Sequence, residues 1–251
     1  MSAPSVKNST KNSVKISTKS SPKPSPKTSA DNSMPANLKQ DALQQLKEKL
    51  EAGLQEMGLN ISAEQQQKLL DYVALIYKWN QVHNLTAVRE PLEMVTLHIL
   101  DSLSVLPYID CKRLLDVGAG AGLPSIPLAI CLPELQVTAI DAVQKKVSFM
   151  RQAKAQLGLT NFSVIHGRIE DQQVPSKDMP EMFDVITSRA FSEIGLFVKL
   201  TKHLLADDGR WLAMKGTIPQ HEFDKSGLQP VEIKVLKVAG LDAERHLIVL
   251  K

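Results

Sequence analysis

From Asn37 to about Leu106 the apolar residues recur every three or four positions, and beyond Arg113 short apolar runs take over. The first regime predicts helices. Leu43, Leu46, Leu50 and Leu54 form one stripe that ends near Gly58. Ser62 with Gln65 has the spacing of a capping box and opens a second helix whose Leu69, Leu70, Val73, Ile76 and Trp79 face a core. A third helix follows Pro91 and carries Met94, Leu97, Leu100, Leu103 and Leu106. These helices precede the first strand, so they are expected as a cap or lid beside a sheet and not as its crossovers.

The second regime alternates strands with helices. Strands are predicted at 113–117, 135–140, 162–166, 184–188, 210–215, 230–238 and 245–250, and helices at about 124–131, 143–157, 192–205 and 218–225. Such alternation implies an α/β fold with a mostly parallel, seven-stranded sheet covered on both faces. Only Gly240-Leu241-Asp242 links the last two strands, too little for a crossover helix, so the final strand should run antiparallel. The expected organisation is a tail over 1–36, a helical cap over 37–110 and a sheet-bearing domain over 111–251.

Composition narrows the setting. A chain of 251 residues holds one α/β domain with helical additions. No apolar run reaches the roughly 18 residues that span a bilayer, and no apolar signal region opens the chain, so no membrane partner is expected. Cys111 and Cys131 sit in apolar surroundings and read as reduced thiols of a cytoplasmic protein. No metal is expected: His98 and Asp101 share a helix face, but two ligands make a poor site. The net charge of +3 is uneven, because residues 1–38 hold six lysines against Asp31, about +5, which leaves the remainder near −2. Residues 1 to about 35 lack large apolar groups and should be disordered. Lysines recur at every fourth position there, yet Pro22, Pro24 and Pro26 oppose a helix. The tail reads first as a solvated extension and second as an arm for RNA phosphates.

The richest stretch is Arg113-Leu114-Leu115-Asp116-Val117-Gly118-Ala119-Gly120-Ala121-Gly122-Leu123-Pro124, an apolar strand ending in an acid and running into alternating glycines. Glycine lets the chain turn sharply and lets backbone approach a ligand with no Cβ in the way. The helix that follows should offer unpaired N–H donors at its N-terminus. A dinucleotide fingerprint wants glycine at 123, where leucine stands. The pattern Asp116-x-Gly118-x-Gly120-x-Gly122 instead resembles the first motif of S-adenosylmethionine-dependent methyltransferases. About 20 residues on, the next strand ends at Asp141, which can accept the hydroxyls of a ribose.

Further pieces extend the resemblance: Lys78-Trp79-Asn80, Asn84-Leu85-Thr86-Ala87-Val88-Arg89, His98-Ile99-Leu100-Asp101-Ser102, Ser188-Arg189-Ala190-Phe191, Lys215-Gly216 and Glu244-Arg245-His246-Leu247. Together with the glycine stretch they resemble the ribosomal RNA small-subunit methyltransferase G family, also called glucose-inhibited division protein B, from about residue 42 onward. Ser125 departs from the family, which usually has glycine after Leu-Pro. The resemblance implies a Rossmann-like class I methyltransferase fold and transfer of a methyl group from S-adenosylmethionine to N7 of the guanine numbered 527 in 16S ribosomal RNA. It also implies cofactor contacts at Gly118, Leu123, Ile169, Glu170 and Arg189, beside the Asp116, Gly120, Gly122 and Asp141 read from the loop. By their residue types, Leu123 packs on the nucleoside, Ile169 covers the ring and Glu170 accepts from the adenine amine. Arg189 ends a strand at the ligand edge and suits either the cofactor carboxylate or an RNA phosphate.

Guanine N7 carries a lone pair and no proton, so no general base is required and no catalytic residue is nominated. Alignment of the reacting atoms is the protein's task, worth about 7–11 kcal/mol. N7 lies in the deep, narrow groove of an A-form helix, so the target should be in a loop or splayed out. Asn84, Arg89, Lys215, Arg245 and His246 are the candidate RNA contacts, with 16S ribosomal RNA or the small subunit as partner and the protein acting as a monomer. For Arg245 and His246 the plain alternative is an exposed edge strand. Three rival functions remain at this point: a methyltransferase on a different RNA or small-molecule acceptor, a nicotinamide dehydrogenase, and a non-enzymatic RNA-binding protein.

Overall fold

A computed structural model describes residues 40–189, 191 and 193–251, so the tail lies outside the described residues. Helix α1 (Gln40–Glu56) buries Leu46, Leu50 and Leu54 along the expected stripe. On the same helix Gly53 allows a close approach, since a Cβ there would collide with Leu100. Helix α2 (Ala63–His83) opens on a complete capping box, with Gln65 N donating to Ser62 Oγ at 3.2 Å and Ser62 N to Gln65 Oε1 at 3.1 Å. It closes at Asn84, held left-handed at φ 45°.

The third helix is not uniform. Helix α3 (Pro91–Met94) passes through a wider π turn, Val95–Leu100, into α4 (Asp101–Leu103). The Asp101 N–H reaches back to Thr96 O, so this turn holds one residue more than an α-helical one. The extra residue rotates the buried face. Val95, Thr96, His98 and Ile99 are enclosed, while Leu97 of the predicted stripe is only half-buried.

The sheet has seven strands in the order β3-β2-β1-β4-β5-β7-β6. They are β1 (Arg113–Val117), β2 (Gln136–Asp141), β3 (Phe162–His166), β4 (Phe183–Arg189), β5 (Leu205–Lys215), β6 (Glu232–Val235) and β7 (His246–Leu250). The first five pair parallel, and β7 runs antiparallel to both β5 and β6. Helices α5 (Ser125–Cys131), α6 (Gln144–Leu157), α7 (Ile194–Thr201) and α8 (Gln220–Ser226) complete the alternation.

Three boundaries correct the sequence reading. Helix α7 stops at Thr201 and β5 begins at Leu205, because a bulge takes up the residues between the pairs Phe183 with Leu205 and Val185 with Arg210. The strand expected over 230–238 contracts to Glu232–Val235, an edge strand that only β7 supports. Strand β7 itself is interior, so His246 is buried and not on an exposed edge. A short link shows that two strands pair antiparallel, but not which of them reaches the older sheet.

Residues alternate between the two faces of the sheet. Leu114, Val137, Phe162, Val185 and Leu247 share one core with the N-terminal helices, α5 and α6. Leu115, Val117, Ile140, Ile186 and Trp211 pack on the other face with Ile194 and Phe197 of α7 and Phe223 of α8. Strands are added in opposite directions from β1 and β4, which opens a crevice at their carboxyl ends, where ligands bind in sheets of this kind. Among the described residues no helix is long and apolar enough to cross a membrane.

Candidate functional site

Gly118, Gly120 and Gly122 all adopt positive φ, at 68°, 62° and 85°, which is why this loop alternates glycines. Its amides are largely engaged by the protein. Gly118 N and Ala119 N donate to Ile140 O, Gly122 N and Leu123 N to Ala119 O, and Gly120 N to Asp141 Oδ2 at 2.9 Å. The start of α5 is closed too: Ser125 N donates to Asp116 Oδ2 at 3.3 Å and Ile126 N to Gly122 O at 2.8 Å. The expected row of unpaired donors is therefore corrected. Helix α5 is buried throughout, and its first turn is met by an internal carboxylate. Burial pushes the Asp116 carboxyl up to about 7, a rise that Ser125 and the Arg189 charge only partly offset, and its Oδ1 finds no partner.

A cleft of about 350 Å³ opens beside the loop. Gly118, Asp141, Ile169 and Glu170 line it together with Val117, Ile140, Phe191, Leu196 and Leu200. A Cβ added to Gly118 would meet nothing within 4 Å, so the missing side chain leaves open space. Asp141 Oδ1 takes Val143 N at 2.8 Å, and Lys146 Nζ stands 3.6 Å from Oδ2. Glu170 is held below the usual carboxylate range by its own backbone N–H and by Arg168, whose Nε donates to it at 2.6 Å. Apolar walls with a carboxylate at the strand end suit a nucleoside, base against Ile169 and hydroxyls toward Asp141. Asp116, Gly120, Gly122 and Leu123 lie outside this lining; Asp116 and Leu123 are buried.

Arg189 is elsewhere. A second cleft, about 470 Å³, is lined by Leu97, His98, Asp101, Arg189, Lys215, Arg245 and His246 among others. Arg189 Nη1 donates to Asp101 Oδ2 at 2.8 Å and to Leu97 O at 3.1 Å, and Arg245 Nε donates to Asp101 Oδ1 at 2.8 Å. One carboxylate, 3% exposed as a residue, thus gathers two guanidinium groups. His98 stays neutral, because burial and the Arg189 charge push it down to about 4; its Nε2 lies 2.9 Å from Thr86 Oγ1. Lys215 Nζ is bound to both Glu222 oxygens, at 2.8 and 3.0 Å, and to Phe191 O at 3.3 Å. His246 Nδ1 lies 2.9 Å from Gly216 O. The structure therefore brings Lys215, Arg245 and His246 together with Arg189. Asn84 and Arg89 stay outside the lining and brace each other, Arg89 Nη2 donating to Asn84 Oδ1 at 2.9 Å.

Several residues escaped the sequence reading. The sequence offers Asp101 as a weak metal ligand and as part of a family piece, not as an arginine partner, and among the described residues no group of three His, Cys, Asp or Glu is placed to hold a metal ion. Its arginine partners lie 88 and 144 positions away, which no local pattern encodes. Tyr72 is not among the α2 positions that the sequence points to, yet its hydroxyl donates to Ala121 O in the glycine loop. Leu196 and Leu200 fall in the helix predicted at about 192–205, with no role given to them by the sequence, and they wall the first cleft.

Comparison with known proteins follows the same line. The family model described as rRNA small subunit methyltransferase G (GidB) matches residues 65–248. The ribosomal RNA small subunit methyltransferase G of Methylobacillus flagellatus is 60% identical over 206 residues, covering 82% of this chain and 98% of that protein. Its counterpart of the same name from Laribacter hongkongensis is 51% identical over 207 residues, again 82% and 98%. A solved SAM-dependent methyltransferase from Aquifex aeolicus is 20% identical with a TM-score of 0.45, covering 61% of this chain and 89% of that one. By the family match and the full-length similarity of these relatives, the chain belongs to the rRNA small subunit methyltransferase G family.

Proposed function

We propose that this protein methylates N7 of the guanine numbered 527 in 16S ribosomal RNA, with S-adenosylmethionine as methyl donor. The observation that carries the reading is a nucleoside-sized cleft and an arginine-lined cleft side by side at one sheet edge, in a chain of this family. The residues present fit the cofactor: open space at Gly118, a strand-end carboxylate at Asp141 and apolar cover from Ile169 and Phe191. When bound, S-adenosylmethionine supplies an electrophilic methyl carbon on a sulfonium.

The protein's own part is placement. Gly118, Asp141, Ile169 and Glu170 would hold the nucleoside, while Asp116, Gly120, Gly122 and Leu123 shape the loop beneath it. Arg189 and Arg245 carry one positive charge more than Asp101 cancels, and that surplus faces the second cleft, where an RNA phosphate would meet it. His246 and the loop from Asn84 to Arg89 flank the approach, whereas Lys215 serves mainly to hold Glu222. No side chain needs to remove a proton, because N7 has none. Holding the guanine edge in line with the methyl carbon is enough, and exclusion of a regular A-form duplex follows from the depth of its groove. In this reading residues 111–251 bind the cofactor, 37–110 wall the sheet edge, the tail over 1–36 is separate, and the protein works in the cytoplasm as a monomer.

Labelled methyl transfer to unmodified 16S RNA and to intact small subunits tests the reading, with the product mapped by strand scission at N7-methylguanine. Label at a single guanine, the one numbered 527, is expected. Label at another base, or none on either substrate, would overturn it.

A further inference from the structure

Helix α2 touches the loop–α5 unit at both ends. Tyr72, fully buried, places its hydroxyl 2.5 Å from Ala121 O and 3.3 Å from Gly122 O. Seven positions earlier on the same helix face, Gln65 Nε2 donates to Ile130 O at 3.2 Å and Cys131 O at 3.0 Å. Seven residues of helix rise about 10.5 Å. Helix α5 is itself seven residues long, so the two side chains of α2 span it from end to end.

The two ends are not equally secured. Asn161 Nδ2 also binds Ala129, Leu132 and Leu135 carbonyls, so the far end of α5 has a second anchor. At the loop end the only side-chain donor to the Ala121 and Gly122 carbonyls among the described residues is Tyr72, whose single proton they share, while Gly122 O also takes Ile126 N from the backbone. Glycine permits many conformations, so a loop with Gly118, Gly120 and Gly122 is held by its hydrogen bonds and not by its own sterics. Asp141 holds Gly120 N from the cleft side; Tyr72 holds Ala121 O and Gly122 O from the core side. Burial keeps the Tyr72 phenol well above its ordinary pKa, so it remains a donor.

We propose that α2 is a splint for the glycine loop, and that Tyr72 is a positioning residue through which the N-terminal helices set the affinity of the first cleft for its nucleoside. The identity of that nucleoside rests on the function proposed above, but the splint does not. In the full-length protein Tyr72→Phe keeps the ring, including its packing 6.2 Å from Phe149, and removes only the hydroxyl.

Calorimetric titration with S-adenosylhomocysteine should give about tenfold weaker binding for Tyr72→Phe, the loss of roughly one buried hydrogen bond. In kinetics the cofactor KM should rise with kcat nearly kept. Amide exchange in the ligand-free protein should quicken at Gly122, Leu123 and Ile126 by a similar factor. Gln65→Ala, which loosens the doubly anchored end, should bind within about threefold of wild type on the same scale. Unchanged exchange and affinity in Tyr72→Phe would overturn the splint, and so would equal weakening by both substitutions. Should wild type itself bind no S-adenosylhomocysteine, the cofactor assignment falls, and the exchange rates still decide for or against Tyr72.

Discussion

At Gly118 a positive φ of 68° coincides with open space where a side chain would begin. Alanine there pays a backbone cost of about 1 kcal/mol for the left-handed conformation. Its methyl group also enters the first cleft. Gly118→Ala should therefore lower stability slightly while weakening S-adenosylhomocysteine by about tenfold or more, read by thermal melting beside calorimetry. Asp116 makes a different prediction. Its folded pKa of about 7 exceeds the unfolded 3.8, so the folded state binds the extra proton between those values and stability falls as pH rises through that window. The full effect is on the order of 4 kcal/mol. Asp116→Asn can still accept from Ser125 N and carries no charge. Denaturant melts should find it more stable than wild type at pH 8, with the advantage gone by pH 4.

Among the elements, Asp101 on α4 joins the helical region to β4 through Arg189 and to the residue just before β7 through Arg245. Asp101→Asn leaves both guanidinium groups without their countercharge and should cost about 2 kcal/mol or more. Arg189→Ala should reduce methyl transfer about a hundredfold, more than its melting temperature alone would suggest, with Arg189→Lys recovering part of it in a filter assay at low salt. How far such pairs could be read from sequence differs by element. The capping box at Ser62 and Gln65 and the glycine loop were legible because each is local, with its partners within a few residues. Strand alternation even predicts that Arg189 shares a face with Val185, the face the N-terminal helices cover. The acid waiting there was not legible. The π turn hid as well, since one inserted residue barely disturbs a spacing of three and four.

Over the whole molecule the formal charge of +3 conceals a tail near +5 and a remainder near −2. In the proposed function the folded part would meet RNA at the second cleft, where two arginines answer to one acid. Deleting residues 2–35 should leave methyl transfer within about twofold at moderate salt; a large loss would show that the tail grips RNA. The same arrangement says something about timing. Strand β7 lies between β5 and β6, so a chain growing from its N-terminus makes Glu232–Val235 before the neighbour that will hold it. Arg245 and His246 arrive with that late neighbour. Every residue that lines the first cleft is made by Leu200, whereas Arg245 comes 45 positions later, so under the proposed function a half-made copy has the seat for its cofactor but lacks the arginine pair that would engage ribosomal RNA.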